Sequence, residues 1–274
     1  MSLCQRKTVK IAIIQICSKL DPLINVDKIN DFIAKAKAET DIEAVFLPEV
    51  FYSMSDGTKP TPYLVEKNNE HYTRIQKMAM DNQVYLLGGS AATKLGDKVV
   101  NRSYNFAPDG ELIRDYDKIH LFAVNLQGKN KTHIDESMVY SAGSHLRSFH
   151  LAGFKFGLSI CFDLRFPEIF REYYTQGVNV FTVSSAFTVP TGKAHWLTLL
   201  KARAIENQSY VIASAQWGEH NEKIKTYGHS CVVDPWGDVI AECGDKEGYA
   251  ICELSLERIK SIRSRMDMSP RVLT

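Results

Sequence analysis

Apolar, β-branched runs recur along the whole chain: IAIIQI at 11–16, AVFLPEV at 44–50, VYLLGGS at 84–90, FKFGLSICF at 154–162, VNVFTVSS at 178–185 and YVIASAQ at 210–216. Runs this short and this apolar predict strands buried on both faces. Helical patterns fall between several of them, at 24–37, 70–81, 167–174 with a proline at its start, and 194–207. Strand then helix, repeated, is the signature of an α/β fold. Two turns break the rhythm: Pro108-Asp109-Gly110 and Asp234-Pro235-Trp236-Gly237 lie between apolar segments and predict antiparallel hairpins. Mixed sheets follow.

At 274 residues, with 45% hydrophobic and 24% charged residues, the chain can bury a core without disulfides or metals. No glycine-, serine- or proline-rich linker divides it, so a single domain over 1–274 is expected, with a core of about 10–263 and a tail at 264–274. Lys+Arg 33 against Asp+Glu 32 leaves a formal charge of +1, which argues against nucleic acid or an anionic membrane surface as partner. With no signal-like or membrane-spanning apolar run, a cytoplasmic location is expected. The cysteines Cys4, Cys17, Cys161, Cys231, Cys243 and Cys252 form no CxxC pair, so neither a zinc knuckle nor a thioredoxin motif is present. Asn101-Arg-Ser103 and Asn207-Gln-Ser209 match the glycosylation pattern but carry no weight in a chain that is not secreted.

The segment Gly157-Leu-Ser-Ile-Cys161-Phe-Asp163-Leu-Arg165-Phe-Pro167-Glu168 ends an apolar strand on a cysteine and leads into a helix. A thiol there meets the N–H groups of a helix start, which favour thiolate and later oxyanion charge. That argues for a depressed thiol pKa, although a packed core cysteine fits the same local pattern. A base is needed as well. His120 and His195 are conceivable, but with eight histidines a chance candidate is expected. Glu49 interrupts the apolar run at 44–50, where a carboxylate is costly unless paired, functional or reaching solvent past Pro48. Lys118 follows a hairpin strand beside Asp115 and Asp117, either of which could simply pair with it.

Taken in order, LPEVF around Glu49, DKIHLF around Lys118 and GLSICFDLRFPE around Cys161 resemble the Glu-Lys-Cys blocks of the nitrilase superfamily of carbon-nitrogen hydrolases. The resemblance runs from Lys10 to about Arg263, through SAFTVPTGKAHW at 185–196 and YGHS at 227–230, and is nearest to the Nit branch of omega-amidase and deaminated-glutathione amidase types. It implies a four-layer α-β-β-α sandwich with mixed sheets. It implies further that Glu49 is the general base, Cys161 the nucleophile and Lys118, with the Phe162 N–H, the oxyanion stabiliser. Glu136 matches a second glutamate that bonds the lysine. Arg165 matches the arginine that takes a substrate carboxylate, and Phe187 and Thr191 fall where the branch lines its pocket.

The same resemblance implies no metal or organic cofactor, a small-molecule amide as substrate, and a homo-oligomer, dimer or higher. A nitrile or N-carbamoyl amino acid would suit the same triad, and a non-catalytic scaffold that keeps the triad as structure is the alternative of another class. Phe162 stands where these proteins commonly carry tyrosine, and Ala123 where an acidic residue often follows KIHLF.

Overall fold

The computed structural model describes residues 7–126 and 132–268. In chain order the strands are β1 (Thr8–Gln15), β2 (Ala44–Phe46), β3 (Tyr85–Leu87), β4 (Ser90–Leu95), β5 (Lys98–Phe106) and β6 (Leu112–Asp117). Then come β7 (Ala123–Leu126), β8 (Thr132–Asp135), β9 (Ser148–Leu151), β10 (Phe154–Ile160), β11 (Val180–Ser185) and β12 (Tyr210–Ala215). The last are β13 (Trp217–Glu219), β14 (Lys225–Tyr227), β15 (Cys231–Val233), β16 (Val239–Glu242) and β17 (Gly248–Ser255). The helices are α1 (Pro22–Glu39), α2 (Glu70–Asn82), α3 (Pro167–Thr175), α4 (Val189–Asn207) and α5 (Leu256–Arg263).

One sheet runs β17-β1-β2-β3-β5-β4 with β6 beside β5, the other β16-β15-β12-β11-β10-β9. Each has a parallel centre, β1-β2-β3 and β10-β11-β12, and antiparallel flanks. Both predicted hairpins form, β5 with β6 and β15 with β16.

The alternation of β1 explains the layering. Val9, Ile11 and Ile13 join the core shared with the second sheet, whereas Ala12 and Ile14 join Ile29 and Ile33 of α1 and Ile75, Met78 and Ala79 of α2. Its centre, Ile11 to Ile14, is apolar at every position because both faces are covered there. Between the sheets Phe46 stacks on Phe156 with ring centroids 6.0 Å apart. On the outer face of the second sheet, Phe170 and Tyr173 of α3 and Trp196 and Leu200 of α4 complete the core. Gly157 in β10 lets α3 close in, since a Cβ there would lie 2.9 Å from the Tyr173 ring. The result is the expected four-layer α-β-β-α sandwich.

Two apolar runs end sooner than their composition suggests. β2 stops at Phe46, and the chain turns at Glu49 and Val50, the latter at φ 45°. β10 stops at Ile160, because Cys161 at φ 50° opens a 3-10 turn over Cys161–Arg165. α4 begins at Val189 rather than 194. No helix among the described residues is long and apolar enough to cross a membrane.

Candidate active site

Glu49, Cys161 and Phe187 follow the carboxyl ends of the central parallel strands β2, β10 and β11, and Lys118 follows β6. Such strand ends open a crevice beyond the sheet. Here it is a cavity of about 140 Å³ bordered by Glu49, Asn101, Glu136, Tyr140, Cys161 and Arg165.

Lys118 is its electrostatic centre. Its Nζ donates to Glu49 Oε1 at 2.8 Å and lies 3.0 and 2.7 Å from Glu136 Oε1 and Oε2. Asn101 Nδ2 donates to the same Glu49 oxygen at 2.9 Å, and the Phe122 N–H donates to Glu136 Oε2 at 2.8 Å. Glu49 is 2% exposed and Lys118 1% exposed, so the alternatives of a solvent-reaching glutamate and a surface lysine are both excluded.

Burial pushes the Glu49 carboxyl up; Lys118 pulls it down and Glu136 pushes it further up. Burial also works against the Lys118 charge, but Glu136 and Glu49 outweigh it and raise its pKa well above the ordinary value. Cys161 neighbours the Glu49 carboxylate, and the Ala186 backbone hydrogen-bonds to its sulfur. Even so, burial and the Glu49 carboxylate push the thiol well up. This corrects the expectation of a depressed thiol pKa: the helix-start amides are outweighed by a dry site whose two carboxylates oppose a further negative charge. The resting state is a neutral thiol beside an acceptor. At the second position of the 3-10 turn, Phe162 has an N–H with no acceptor inside the turn.

Among the described residues no histidine borders the cavity. His120 Nδ1 lies 2.8 Å from Asp163 Oδ1 and its ring stacks 3.6 Å from Phe166, while His195 meets Arg165. Arg165 is not held by Asp163 or Glu168. Its guanidinium lies 5.8 and 5.2 Å from the Phe162 and Phe187 ring centres, with Nη1 3.2 Å from His195 Nδ1. Phe187 packs on Trp196 at 4.9 Å, and the Thr191 hydroxyl pairs with that of Thr188 at 2.9 Å; both residues also border the cavity. Phe162 meets Phe122 and Phe166 edge-on, so an apolar ring fits this position without a hydroxyl partner.

Sequence reasoning missed Asn101, seen only as a glycosylation pattern, though it is 1% exposed and bonded to Glu49. It also missed Asp163, a fully buried carboxylate that accepts from the N–H groups of Ile160 and His120 and from the Tyr116 hydroxyl. An aspartate two residues after Cys161, in a largely apolar segment, was the available signal.

Fold and site together define a hydrolase built around a buried Glu-Lys-Cys cluster, and the comparisons with known proteins agree. The carbon-nitrogen hydrolase family model matches residues 10–264, and the chain belongs to that family. It is a carbon-nitrogen hydrolase. It is 40% identical over 229 residues to the deaminated glutathione amidase of Synechocystis sp., covering 82% of this chain and 84% of that protein. It is 33% identical over 258 residues to omega-amidase NIT2 of Homo sapiens, covering 94% and 92%. Among solved structures, Nit3 of Saccharomyces cerevisiae, a member of branch 10 of the nitrilase superfamily, superposes with a TM-score of 0.87 at 30% identity, covering 99% of this chain and 98% of that one.

Proposed function

We propose that the protein is a thiol amidohydrolase that releases ammonia from a small amide carrying a free carboxylate, such as deaminated glutathione or a 2-oxo acid omega-monoamide. The Cys161 proton passes to Glu49 as sulfur attacks the amide carbon; the C–N bond then breaks, with the proton returned to the departing nitrogen. The thioester left on Cys161 is hydrolysed by a water that Glu49 deprotonates. Lys118 and the Phe162 N–H stabilise the oxyanion in both halves, and Glu136 holds Lys118 in place.

The observation that carries the substrate class is Arg165. A guanidinium with no carboxylate partner among the described residues borders the same cavity as Cys161, flanked by two aromatic rings. Such a fork suits a carboxylate. Names of the relatives support the reading, since both are amidases.

Leu197, Ile205 and Trp236 are exposed apolar side chains on and beside α4, an outer surface that suits a second copy of the chain, and the enzyme is read as a homo-oligomer. A cytoplasmic location suits its free cysteines, which stay reduced there.

The test is ammonia release from deaminated glutathione and 2-oxoglutaramate, measured side by side. Turnover is expected with at least one, abolished in Cys161→Ala; in Arg165→Met, KM is expected to rise about 10-fold or more with kcat largely kept. Wild-type turnover in Cys161→Ala would defeat the nucleophile assignment. An unchanged KM in Arg165→Met would defeat the carboxylate reading.

A further inference from the structure

Asn101 lies in β5 between the two charged partners of the thiol. Its backbone carbonyl accepts from the Lys118 N–H at 3.0 Å, and its side-chain Nδ2 donates to Glu49 Oε1 at 2.9 Å. The orientation of the amide is set by chemistry, because an ionised carboxylate only accepts and must meet the NH₂ end. Oδ1 then points away from Glu49. It is buried and finds no donor among the described residues. A buried acceptor without a donor costs stability, so packing alone does not select asparagine here; an apolar side chain avoids that cost.

With Lys118 and Asn101 both bound to Oε1, that oxygen is saturated and the carboxylate is locked in one orientation. Glu49 Oε2 is left buried and without a hydrogen-bond partner among the described residues, the one oxygen of a carboxylate neighbouring Cys161 that is free to take a proton. The charged and titratable groups around Glu49 are Lys118 after β6, Glu136 in the turn after β8, Cys161 after β10, and Tyr140. Of these only Lys118 favours the ionised carboxylate by its charge. Asn101 adds a neutral donor to the same end.

We infer that Asn101 is a positioning residue: its amide aims the free oxygen of Glu49 at the Cys161 thiol and keeps the carboxylate ionised as the proton acceptor. The inference deepens the reading of Glu49 as the base and rests on it. Asn101 touches neither substrate nor sulfur in this role. Removing it leaves Glu49 free to rotate about its last bond and easier to protonate.

The experiment follows alkylation of Cys161 by iodoacetamide against pH, located by peptide mapping, so that it reads the thiol without needing the physiological substrate. In this reaction the S–C bond forms as the C–I bond breaks, iodide leaves, and the thiol proton passes to Glu49. Asn101→Ala and Asn101→Ser are compared with wild type and Glu49→Gln, with melting temperatures measured in parallel.

Both Asn101 variants are expected to stay folded, with melting temperatures only slightly below wild type, since the lost donor to Glu49 is partly offset by removal of the unpaired Oδ1, yet to alkylate about 10-fold more slowly at neutral pH. Their acidic limb should move up by about one pH unit, the size expected from losing a donor to a charged group. Asn101→Asp, which sets a like charge against Glu49, should move the limb further in the same direction. A limb that superimposes on wild type in all three Asn101 variants would overturn the positioning role. If Glu49→Gln itself alkylates with the wild-type profile, the base assignment fails instead, and the two failures are told apart by that control.

Discussion

Glu49 shows how a single residue can be legible in type but not in state. A carboxylate inside an apolar run is a costly placement, and that cost is visible in the sequence at 44–50. Its partners are not visible, because Asn101 and Lys118 are 52 and 69 positions away and reach it only when β5 and β6 join the same sheet beyond β3. The direction of the Cys161 pKa was misjudged for the same reason. Local helix-start amides can be read from the segment, whereas the two carboxylates that oppose thiolate come from distant elements.

The residue-scale consequence concerns pH. In the proposed role as base Glu49 must be ionised, and burial, opposed by Lys118 and reinforced by Glu136, raises its pKa above the usual 4.5. Lowering the pH therefore protonates it earlier than an ordinary glutamate. The acidic limb of kcat/KM is expected above pH 4.5, with activity rising through it. A limb at or below that value, measured on a substrate whose own ionisation is constant over the range, would mean that Glu49 is not the titrating base.

At the scale of elements, the six central parallel strands and four of the helices were legible because those strands are mostly apolar and the helical patterns fall between them. Their ends were not. β2 and β10 stop where Val50 and Cys161 take left-handed backbone angles, which composition does not announce. α4 begins early because Gly192 allows it: a Cβ there would lie 2.3 Å from Tyr227 of β14, so only glycine lets the first turn press in and bring Thr188 and Thr191 to the cavity.

The turn that carries Cys161 is held from the other sheet. Asp163 accepts at 2.7 Å from Tyr116 of β6, at 2.9 Å from the His120 N–H that follows it, and at 2.9 Å from Ile160 at the end of β10. One carboxylate therefore fixes the Cys161 turn against the segment that carries Lys118. Removing it strands several buried donors, a loss of about 3–5 kcal/mol for a broken buried network. At roughly 2–4 °C per kcal/mol in a protein of this size, Asp163→Ala should lower the melting temperature by on the order of 10 °C. Turnover should fall in the protein that remains folded. A variant of wild-type stability and activity would show that the Cys161 turn is held by its own backbone.

For the whole molecule, the sandwich covers both faces of each sheet, yet part of α4 remains uncovered. Trp196, Leu200 and Ala204 point into the core, whereas Leu197 is 44% and Ile205 47% exposed; Trp236, in the β15–β16 turn, is 52% exposed. Ile205 adjoins that turn directly, since a Cβ on Gly237 would lie 2.7 Å from it. Clustered apolar side chains on the outer layer lose little by meeting water singly, but a joined patch of them gains by pairing with a copy of itself. A charge at its centre then opposes assembly twice over, once from each subunit, while an exposed position tolerates it within the fold. Ile205→Asp is expected to shift the species measured by light scattering toward the monomer, with the melting temperature of the monomeric unit little changed. A wild-type protein that is monomeric at every concentration would overturn the homo-oligomer reading, and an Ile205→Asp variant with the wild-type oligomeric mass would move the interface away from α4. The active site should survive the change, because Cys161, Glu49 and Lys118 all lie at the strand ends, and Ile205 is on the outer helix layer; retained alkylation of Cys161 in the variant separates lost assembly from lost structure.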